Sequence, residues 1–425
     1  MKRVEELIGR GDYGQALVRL WVLAGQAVTG GSRLNAWERT RDAQAFPGQV
    51  ETFLQELQSE AHIDAERMER APLAFIAALD KAYALLRALL YRSTSWNQPF
   101  EEEGGRYWLT RIELSHRSSV PFARQAGNRE AWFKWHSVVP VRTSHGIDIA
   151  VSPATGRLAQ FLSERAEDDT IELLVWIGHL DDDARLTWDS SPSRKFRLRS
   201  VEPAAVRQES IRQTLEQAAK AGADIVVMPE FTVDMEGRRF VAHWLLENEH
   251  PFKIVVAGSF HENTPDGWFN TAEVWDRIAQ PILKHRKMRL FGQAEGLAED
   301  VGEGHCLTLL TTPIGTLSLL ICKDFMDAHQ SVATLLQEAP IDWALVPSYG
   351  DDSTWRAHKE RAIALAGVGP GISSIVSNQR NIEITNGSPL PGFSVQAVQA
   401  TVCQVDSAGG LICMIAKKIW TNRAY

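Results

Sequence analysis

The stretch Thr316–Phe325, TLSLLICKDF, constrains the fold of this chain more than any other part of its sequence. Its apolar residues Leu317, Leu319, Leu320 and Ile321 stand close together, which is typical of a strand that other layers cover on both faces. The run ends abruptly at Cys322, because two charged residues, Lys323 and Asp324, come next. The stretch therefore predicts a buried strand that displays a thiol where the sheet meets a loop.

Length and composition narrow the classes of protein that this chain can belong to. Its 425 residues exceed one ordinary domain and predict two, at about 100–200 residues each. The net charge of −8 offers no electrostatic footprint for nucleic acid or anionic lipid. The four cysteines lack CxxC spacing, which favours free thiols in a reducing compartment. Neither a signal peptide nor a long apolar span is evident, so we expect a cytoplasmic protein without membrane contact.

Residues 1–165 predict an accessory domain of helices followed by strands. Apolar residues recur at helical spacing before Pro47 and again in LAFIAALDKAYALLRALLYR. From Gly105 onward, segments such as RYWLTRIEL are rich in β-branched and aromatic residues, as strands are. The positive and negative charges of this region nearly balance, so the acidity of the chain lies beyond it. No motif in this region points to chemistry. Its large aromatic residues suit a core or an interface with the second domain, with a neighbouring protomer or with a protein partner.

Residues 170–425 have a different sequence pattern, which predicts alternating apolar strands and amphipathic helices. IELLVWIG, ADIVVMPEF, KIVVAGSF, IDWALVPS and ISSIVSNQ predict strands, and AAVRQESIRQTLEQAAKA and TWRAHKERAIALAG predict helices. This alternation, with hairpins inserted, predicts a second domain with a layered α/β fold.

Three polar residues follow apolar segments in this second domain, and together they suggest a mechanism. Cys322 supplies a nucleophile, Glu230 a base for its proton, and Lys287 a positive charge for the oxyanion of a tetrahedral intermediate. Each residue alone has an ordinary explanation. A cysteine beside an apolar strand is often an inert core residue, and Lys287 has the neighbouring cation Lys284.

These residues carry a resemblance to the nitrilase, or carbon–nitrogen hydrolase, superfamily. Its apolar-Pro-Glu motif is similar to VVMPEF, its lysine motif to HRKMRLFG, and its cysteine motif to LLICKDF. Between and after them, VVAGSFHE, WFNTAEVWD, WALVPS, WRAHKERAIAL and SIVSNQ resemble further family segments in the family's order. The resemblance implies Glu230 as general base, Lys287 as oxyanion stabiliser and Cys322 as nucleophile.

The same resemblance implies two substrate-positioning groups. A second glutamate of the family lies shortly after the lysine, and we assign it to Glu295, with Glu299 and Glu303 as neighbouring alternatives. The backbone N–H of Lys323 is a further candidate for the oxyanion hole. Lys323 departs from the bulky residue usual after the family cysteine, and its charge would lower the thiol pKa and suit an acidic substrate. A side chain turned to solvent is the alternative.

The resemblance implies a four-layer α-β-β-α sandwich for residues 170–425, which commonly assembles into homo-oligomers. It implies a hydrolase that cleaves the C–N bond of a small-molecule amide or nitrile through a Cys322 thioester, without metal or cofactor. The alternative is a nitrilase-like small-molecule sensor or assembly scaffold, which the extra N-terminal region and the altered residues after Cys322 favour. A Cys-His hydrolase is a third reading, but no histidine stands in a comparable strand-end context.

Overall fold

A computed structural model of the chain describes most of its length as two compact units, Met1–Thr143 and Ser144–Lys418. The described residues are 1–28, 31–59, 61–90, 99–111, 132–133, 135–143, 145–154, 156–164, 170–180, 183–190, 195–292, 298–326, 339–367, 371–379, 392–397, 401–405 and 409–417. Among them, no helix is long and apolar enough to cross a membrane.

The first unit consists of helices followed by a small antiparallel sheet, as the sequence predicts. Its helices are α1 (Lys2–Ile8), α2 (Tyr13–Gly25), α3 (Arg33–Thr40), α4 (Phe46–Gln58), α5 (Ala65–Arg70) and α6 (Pro72–Leu90). Its strands are β1 (Ala27–Val28), β2 (Gly31–Ser32), β3 (Phe100–Glu102), β4 (Gly105–Arg111) and β5 (His136–Pro140). The apolar helix α6 packs against α2 and α4, and the rings of Phe53 and Phe75 meet edge to face in this core.

The second unit contains the remaining elements. Its strands are β6 (Asp148–Pro153), β7 (Thr170–Ile177), β8 (Arg185–Ser190), β9 (Lys195–Glu202), β10 (Ile225–Val227), β11 (Ile254–Thr264), β12 (Gly267–Asp276), β13 (Pro281–Arg286), β14 (Ala298–Glu299), β15 (Cys306–Thr312), β16 (Gly315–Leu319), β17 (Trp343–Tyr349), β18 (Ser373–Gln379), β19 (Gly392–Gln396), β20 (Thr401–Gln404) and β21 (Gly410–Lys417). Its helices are α7 (Gly156–Glu164), α8 (Ala204–Lys220), α9 (Met235–Glu247), α10 (Lys323–Met326) and α11 (Asp352–Gly367). The sequence also predicts a helix after the cysteine strand, through Leu336, and its residues 327–336 lie outside the described residues.

Two mixed sheets form the centre of this unit. Within the described residues, one sheet has the order β13-β12-β11-β10-β7-β21, with β10 parallel to both β7 and β11. The other has the order β20-β19-β18-β17-β16-β15-β6, with β16, β17 and β18 parallel. Every residue of β10, β16 and β18 is buried. Both faces of these strands are covered, which explains the unbroken apolar run of β10, whereas β16 and β18 also bury polar residues such as Ser318 and Ser377.

Helices cover the outer faces of the two sheets and complete a four-layer α-β-β-α sandwich. Ile211 and Leu215 of α8 and Trp244 of α9 share one apolar cluster with strands β7, β10 and β11. On the other side α11 packs on β18 and β19, where the rings of Trp355 and Phe393 meet edge to face with centroids 5.4 Å apart. The two sheets contact each other through strands such as β11 and β17. The predicted fold class is confirmed.

The boundary between the units lies earlier in the chain than the sequence suggested. We expected an accessory domain that ends near residue 165, but strand β6 belongs to the second unit. The physical reason is its pairing, since β6 runs parallel to β15 along six positions, from Asp148 opposite Cys306 to Pro153 opposite Thr311. Non-local pairing of this kind leaves no mark in the composition of the segment itself.

Candidate active site

Glu230, Lys287 and Cys322 each follow the carboxyl end of a strand in the second unit. Glu230 lies three residues beyond β10, Lys287 directly beyond β13, and Cys322 between β16 and α10. All three side chains are buried, although two of them are ordinarily charged. The strands come from both facing sheets, so the site lies where the ends of the two sheets meet.

Cys322 occupies a sharp turn between its strand and the short helix α10. Its φ angle is +44°, in the left-handed region that residues with a side chain rarely adopt. The backbone N–H of Cys322 donates to the carbonyl of Pro347 at 2.9 Å, and its own carbonyl accepts from the N–H of Phe325 at 3.0 Å. These contacts hold the strained turn, and such strain is concentrated at functional sites.

Burial and the nearby Glu230 raise the pKa of the Cys322 thiol to about 12, although Lys287 and a hydrogen bond from Ser348 act in the opposite direction. A thiol with this pKa is protonated at neutral pH and is a poor nucleophile. A thiol in this state would need a base to act as a nucleophile.

Glu230 is bound by two donors, and both contact the same oxygen. Oε1 accepts from Nζ of Lys287 at 2.8 Å and from Nδ2 of Asn270 at 2.8 Å. Burial raises the pKa of this carboxyl group above its ordinary value, and the negative Glu299 adds to the effect, while Lys287 opposes it. A raised pKa suits a group that must both take and return a proton near neutral pH.

Lys287 bridges Glu230 and a second buried glutamate, Glu299. Its Nζ donates to Oε1 of Glu230 at 2.8 Å and to Oε2 of Glu299 at 2.9 Å. Burial opposes its charge, but the two carboxylates outweigh burial and raise the pKa of Lys287 well above its ordinary value. Burial likewise opposes the charge of Glu299, yet Lys287 and a hydrogen bond from His261 lower the pKa of Glu299 to about 2.

His261 holds Glu299 in place through a defined tautomer. Its Nδ1 accepts the backbone N–H of Leu198 at 2.9 Å, so the proton of the neutral ring lies on Nε2. Nε2 then donates to Oε1 of Glu299 at 3.1 Å. Burial lowers the pKa of His261 and keeps the ring neutral. His261 therefore acts on the site through Glu299.

Asp324 connects the cysteine turn to the lysine segment. Its Oδ1 accepts the backbone N–H groups of Met288 and Arg289 at 2.9 and 2.7 Å, directly after Lys287. Its Oδ2 accepts from Nε2 of His285 at 2.8 Å. One carboxylate thus ties the chain on both sides of Lys287 to the turn that carries Cys322.

The structure describes only one of the two residues that were predicted to position the substrate, Glu295 and Lys323. Glu295 lies outside the described residues, and the structure brings the neighbouring alternative, Glu299, to Lys287. Lys323 is half-buried at the start of α10, and its role remains a prediction. Lys284, the alternative cation, binds Glu262 and is 42% exposed, so it belongs to the surface.

Sequence reasoning missed four polar residues around this cluster: Asn270, His261, Asp324 and Ser348. Each stands within a segment that carries the family resemblance, for example Asn270 in WFNTAEVWD. The sequence therefore contained the segments that carry these residues. A role for each side chain could be assigned only from its contacts in the tertiary structure. The described residues contain no group of three or more His, Cys, Asp or Glu side chains arranged to hold a metal ion.

Comparisons with known proteins agree with the motif analysis for this part of the chain. Residues 204–390 match a family model that is described as carbon–nitrogen hydrolase. The search of curated proteins found no significant match.

Several solved structures resemble part of this chain at low identity. Saccharomyces cerevisiae Nit3, a member of branch 10 of the nitrilase superfamily, is 18% identical over 58% of this chain and 90% of its own, with a TM-score of 0.43. A double mutant of the amidase from Nesterenkonia sp. AN1 in complex with acrylamide is 16% identical over 59% and 91%, with a TM-score of 0.41. The C. elegans NitFhit protein is 14% identical over 57% and 60%, with a TM-score of 0.44.

The family match includes Glu230, Lys287 and Cys322, together with Glu299 and Asp324. The N-terminal unit lies outside it. Residues 204–390 of this chain are therefore similar to the carbon–nitrogen hydrolase family.

Proposed function

We propose that this protein hydrolyses the C–N bond of a small amide or nitrile through a thioester on Cys322. The observation that carries the proposal is the buried Glu230-Lys287-Glu299 bridge beside a thiol at a strained turn. Burying three ionisable groups costs free energy unless they are paired, and structural needs rarely require such a cluster. Strongly perturbed pKa values in one cluster are typical of a catalytic site.

The two glutamates have different roles because their pKa values move in opposite directions. Glu299, with its pKa near 2, stays ionised and balances the charge of Lys287. Glu230, with a raised pKa, is the proton carrier. Two carboxyl groups whose surroundings separate their pKa values in this way divide into a permanent anion and an acid-base catalyst.

In the first half-reaction with an amide, Glu230 takes the proton of the Cys322 thiol, and the sulfur attacks the carbonyl carbon. The oxyanion that forms accepts from Lys287, which has three N–H donors and uses two of them on the glutamates. The backbone N–H of Lys323, at the start of α10, is our second donor. Glu230 then protonates the leaving nitrogen, and the C–N bond breaks to leave a thioester.

In the second half-reaction, water attacks the thioester carbon and gives its proton to Glu230. The C–S bond breaks, the carboxylic acid leaves, and the proton returns to the sulfur of Cys322. With a nitrile, the sulfur attacks the nitrile carbon and the thiol proton passes through Glu230 to the nitrogen, which gives a thioimidate. Water then adds to the same carbon and supplies the remaining protons to the nitrogen, ammonia leaves, and the thioester that results is hydrolysed as above.

Aromatic side chains beside the cluster guide the choice of test compounds. The rings of Phe231 and Tyr349 meet with centroids 5.6 Å apart, and Nζ of Lys287 lies 5.6 Å from the ring centroid of Phe231. These residues follow Glu230 and Ser348 in the chain. A panel of test substrates should therefore compare apolar amides and nitriles with amides and nitriles that bear a carboxylate. The carboxylate compounds test whether the charge of Lys323 favours an acidic substrate.

The decisive test is intact-mass detection of an acyl adduct during turnover of this panel. We expect an adduct on Cys322 in the parent enzyme, and no adduct and no turnover with Cys322→Ala. Cys306→Ala removes an exposed thiol elsewhere and should leave both unchanged. Undiminished turnover by Cys322→Ala would exclude the mechanism. An adduct that forms without product release would instead favour the small-molecule sensor.

A further inference from the structure

Ser348 and His358 form a buried pair behind the nucleophile. Ser348 lies in β17 and His358 in α11, and both side chains are completely buried. Oγ of Ser348 and Nε2 of His358 are 2.9 Å apart. The ring of Phe325, three residues after Cys322, stacks on the imidazole with centroids 6.0 Å apart. The pair is thus built into the core that supports the cysteine turn.

Strand β17 also holds the backbone of both reacting residues. The carbonyl of Pro347 accepts the N–H of Cys322 at 2.9 Å, and the carbonyl of Ser348 accepts the N–H of Glu230 at 3.2 Å. Cys322 and Ser348 are neighbours across the two segments of this pairing, because the bonds from the N–H of Leu320 to the carbonyl of Leu345 and from the N–H of Cys322 to the carbonyl of Pro347 continue the parallel register of β16 and β17. A hydrogen bond from the Ser348 hydroxyl lowers the pKa of the Cys322 thiol. Ser348 therefore contacts the nucleophile with its side chain and the base with its main chain.

The protonation state of His358 follows from its surroundings. Burial, together with the charge of Lys287, lowers the pKa of His358 to about 3, so the ring is neutral and carries one proton. Within the part of the chain that the structure describes, Nδ1 of His358 is buried and has no hydrogen-bond partner. A buried N–H without an acceptor is rare and costly. The proton therefore lies on Nε2, which donates to Oγ of Ser348.

This tautomer sets the direction of the hydrogen bonds. Oγ of Ser348 accepts from His358, so the hydroxyl proton is left to donate elsewhere, and the sulfur of Cys322 is its neighbour. A thiolate accepts such a bond much more strongly than a neutral thiol does, because hydrogen bonds to charged groups are the stronger ones. The bond thus favours the form of Cys322 that attacks the substrate.

We propose that Ser348 is a further catalytic residue, whose hydroxyl donates a hydrogen bond to the Cys322 thiolate, and that His358 is a positioning residue that orients this hydroxyl. The proposal rests on the proposed function, in which Cys322 is the nucleophile. No proton is transferred between Ser348 and Cys322, since Glu230 takes the thiol proton. The charged groups that face the sulfur are Glu230 and Lys287, and both are the same in the variants below.

The test measures alkylation of Cys322 by iodoacetamide, in which the thiolate sulfur displaces iodide and no substrate is needed. The rate on the Cys322 peptide is followed by mass spectrometry across a pH series. We expect Ser348→Ala and His358→Leu to slow alkylation at neutral pH by about tenfold, because a hydrogen bond to a charged group shifts an equilibrium by at least that factor. His358→Gln, which keeps an N–H donor near the position of Nε2, should stay within about twofold of the parent.

Ser374→Ala provides the matched control, because Ser374 is a buried serine of the neighbouring strand β18 whose hydroxyl has no partner among the described residues. Cys322 in this variant should be alkylated at the parent rate.

Alkylation at the parent rate in Ser348→Ala would overturn the catalytic role of Ser348. Equal losses of alkylation rate in His358→Gln and His358→Leu would overturn the positioning role of His358. Ser348→Ala removes a single oxygen, so it decides the question even if His358→Leu fails to fold. Alkylation without any turnover in the parent would count against the proposed function alone.

Discussion

Hydrogen bonding explains why two glutamates on the same lysine differ in pKa. Glu299 accepts from four donors in the described part of the chain: Lys287, His261, Asn270 and the N–H of Phe291. Among the described residues, Glu230 accepts only from Lys287 and Asn270, both at Oε1. Bonds to an ionised carboxylate favour the charged form, whereas burial favours the neutral form. We therefore expect Oε2 of Glu230 to take the thiol proton.

Glu230→Gln should lower kcat by about a hundredfold or more, because the variant keeps the shape of the side chain and loses the base. The parent enzyme should show an acid limb in kcat/KM above the ordinary glutamate pKa of 4.5, since the folded-state pKa is raised. Activity is then lost as the pH falls through this value and Glu230 becomes protonated. A pH series of kcat/KM measures the limb.

Glu262→Gln is the control for this prediction, because Glu262 is a glutamate of β11 that pairs with Lys284 near the surface. It should keep the rate and the pH profile of the parent. An acid limb at or below 4.5 would show that Glu230 is not the base.

Lys287→Ala should reduce kcat by about 10²–10³, as the loss of an oxyanion donor does elsewhere. It also leaves Glu230 and Glu299 buried without their counter-charge, and breaking a buried pair costs about 3–5 kcal/mol of unfolding free energy. Lys284→Ala should have little effect on either quantity, since an exposed pair contributes about 0–1 kcal/mol. Kinetics and denaturant unfolding of both variants check the ranking, and the reverse order would contradict the assignment of Lys287.

Two elements that are distant in the chain are joined by one carboxylate. Strand β13 ends one residue before Lys287, and α10 begins one residue after Cys322. Asp324 of α10 accepts two backbone N–H groups of the segment after Lys287 and the ring N–H of His285 within β13. The separation of lysine and cysteine is therefore set by this clamp as well as by the sheets.

Asp324→Ala should lower kcat by at least about tenfold, because a displacement of about 1 Å at a catalytic group costs up to a hundredfold. It should also lower the unfolding free energy by about 1–3 kcal/mol, since buried N–H groups lose their acceptor. Asp276→Ala is the matched control: Asp276 accepts the N–H groups of Ile278 and Gln280 in the turn after β12. It should lose stability but keep kcat. Equal loss of kcat in both variants would show that the clamp has no special role.

The two compact units differ in their relation to the chemistry. Every residue of the candidate site lies in the unit Ser144–Lys418, and the family match lies within it as well. The unit Met1–Thr143 has its own apolar core of helices and a small sheet. Hydrolysis as proposed needs nothing from this unit, so we propose that it serves assembly or a protein partner of a homo-oligomeric enzyme.

A chain truncated to begin at Ser144 should keep the fold of the second unit, whereas a chain that begins at Thr170 should not. The second truncation removes β6 and exposes the edge of β15 along six paired positions. Unpaired edge strands promote association between chains. Thermal melting and light scattering compare the two chains, and we expect a lower melting temperature and more aggregation for the shorter one. Equal behaviour would show that β6 is dispensable.

The Ser144 chain also tests the proposed role of the N-terminal unit. Its oligomeric state, measured by light scattering, should differ from that of the full chain if the unit controls assembly. An unchanged oligomeric state, stability and activity would instead favour an independent module tethered to the enzyme.

Local sequence patterns were sufficient for the layered fold and for three site residues. Unbroken apolar runs require strands covered on both faces, and a polar residue directly after such a run must lie at a strand end. Glu230 and Cys322 could therefore be placed from the sequence alone. Lys287 needed the family motif as well, because its neighbours Lys284 and Arg286 have the same charge.

Only the tertiary structure decided which second glutamate joins Lys287, where the units divide, and what holds the site together. Glu299 contacts Lys287 from a strand that pairs with β9, far earlier in the chain. The pairing of β6 with β15 and the hydrogen bond of Met288 to Asp324 likewise join segments whose own sequences contain no record of each other. Spacing along a chain predicts local structure, whereas contacts between distant segments depend on how complete sheets and helices pack.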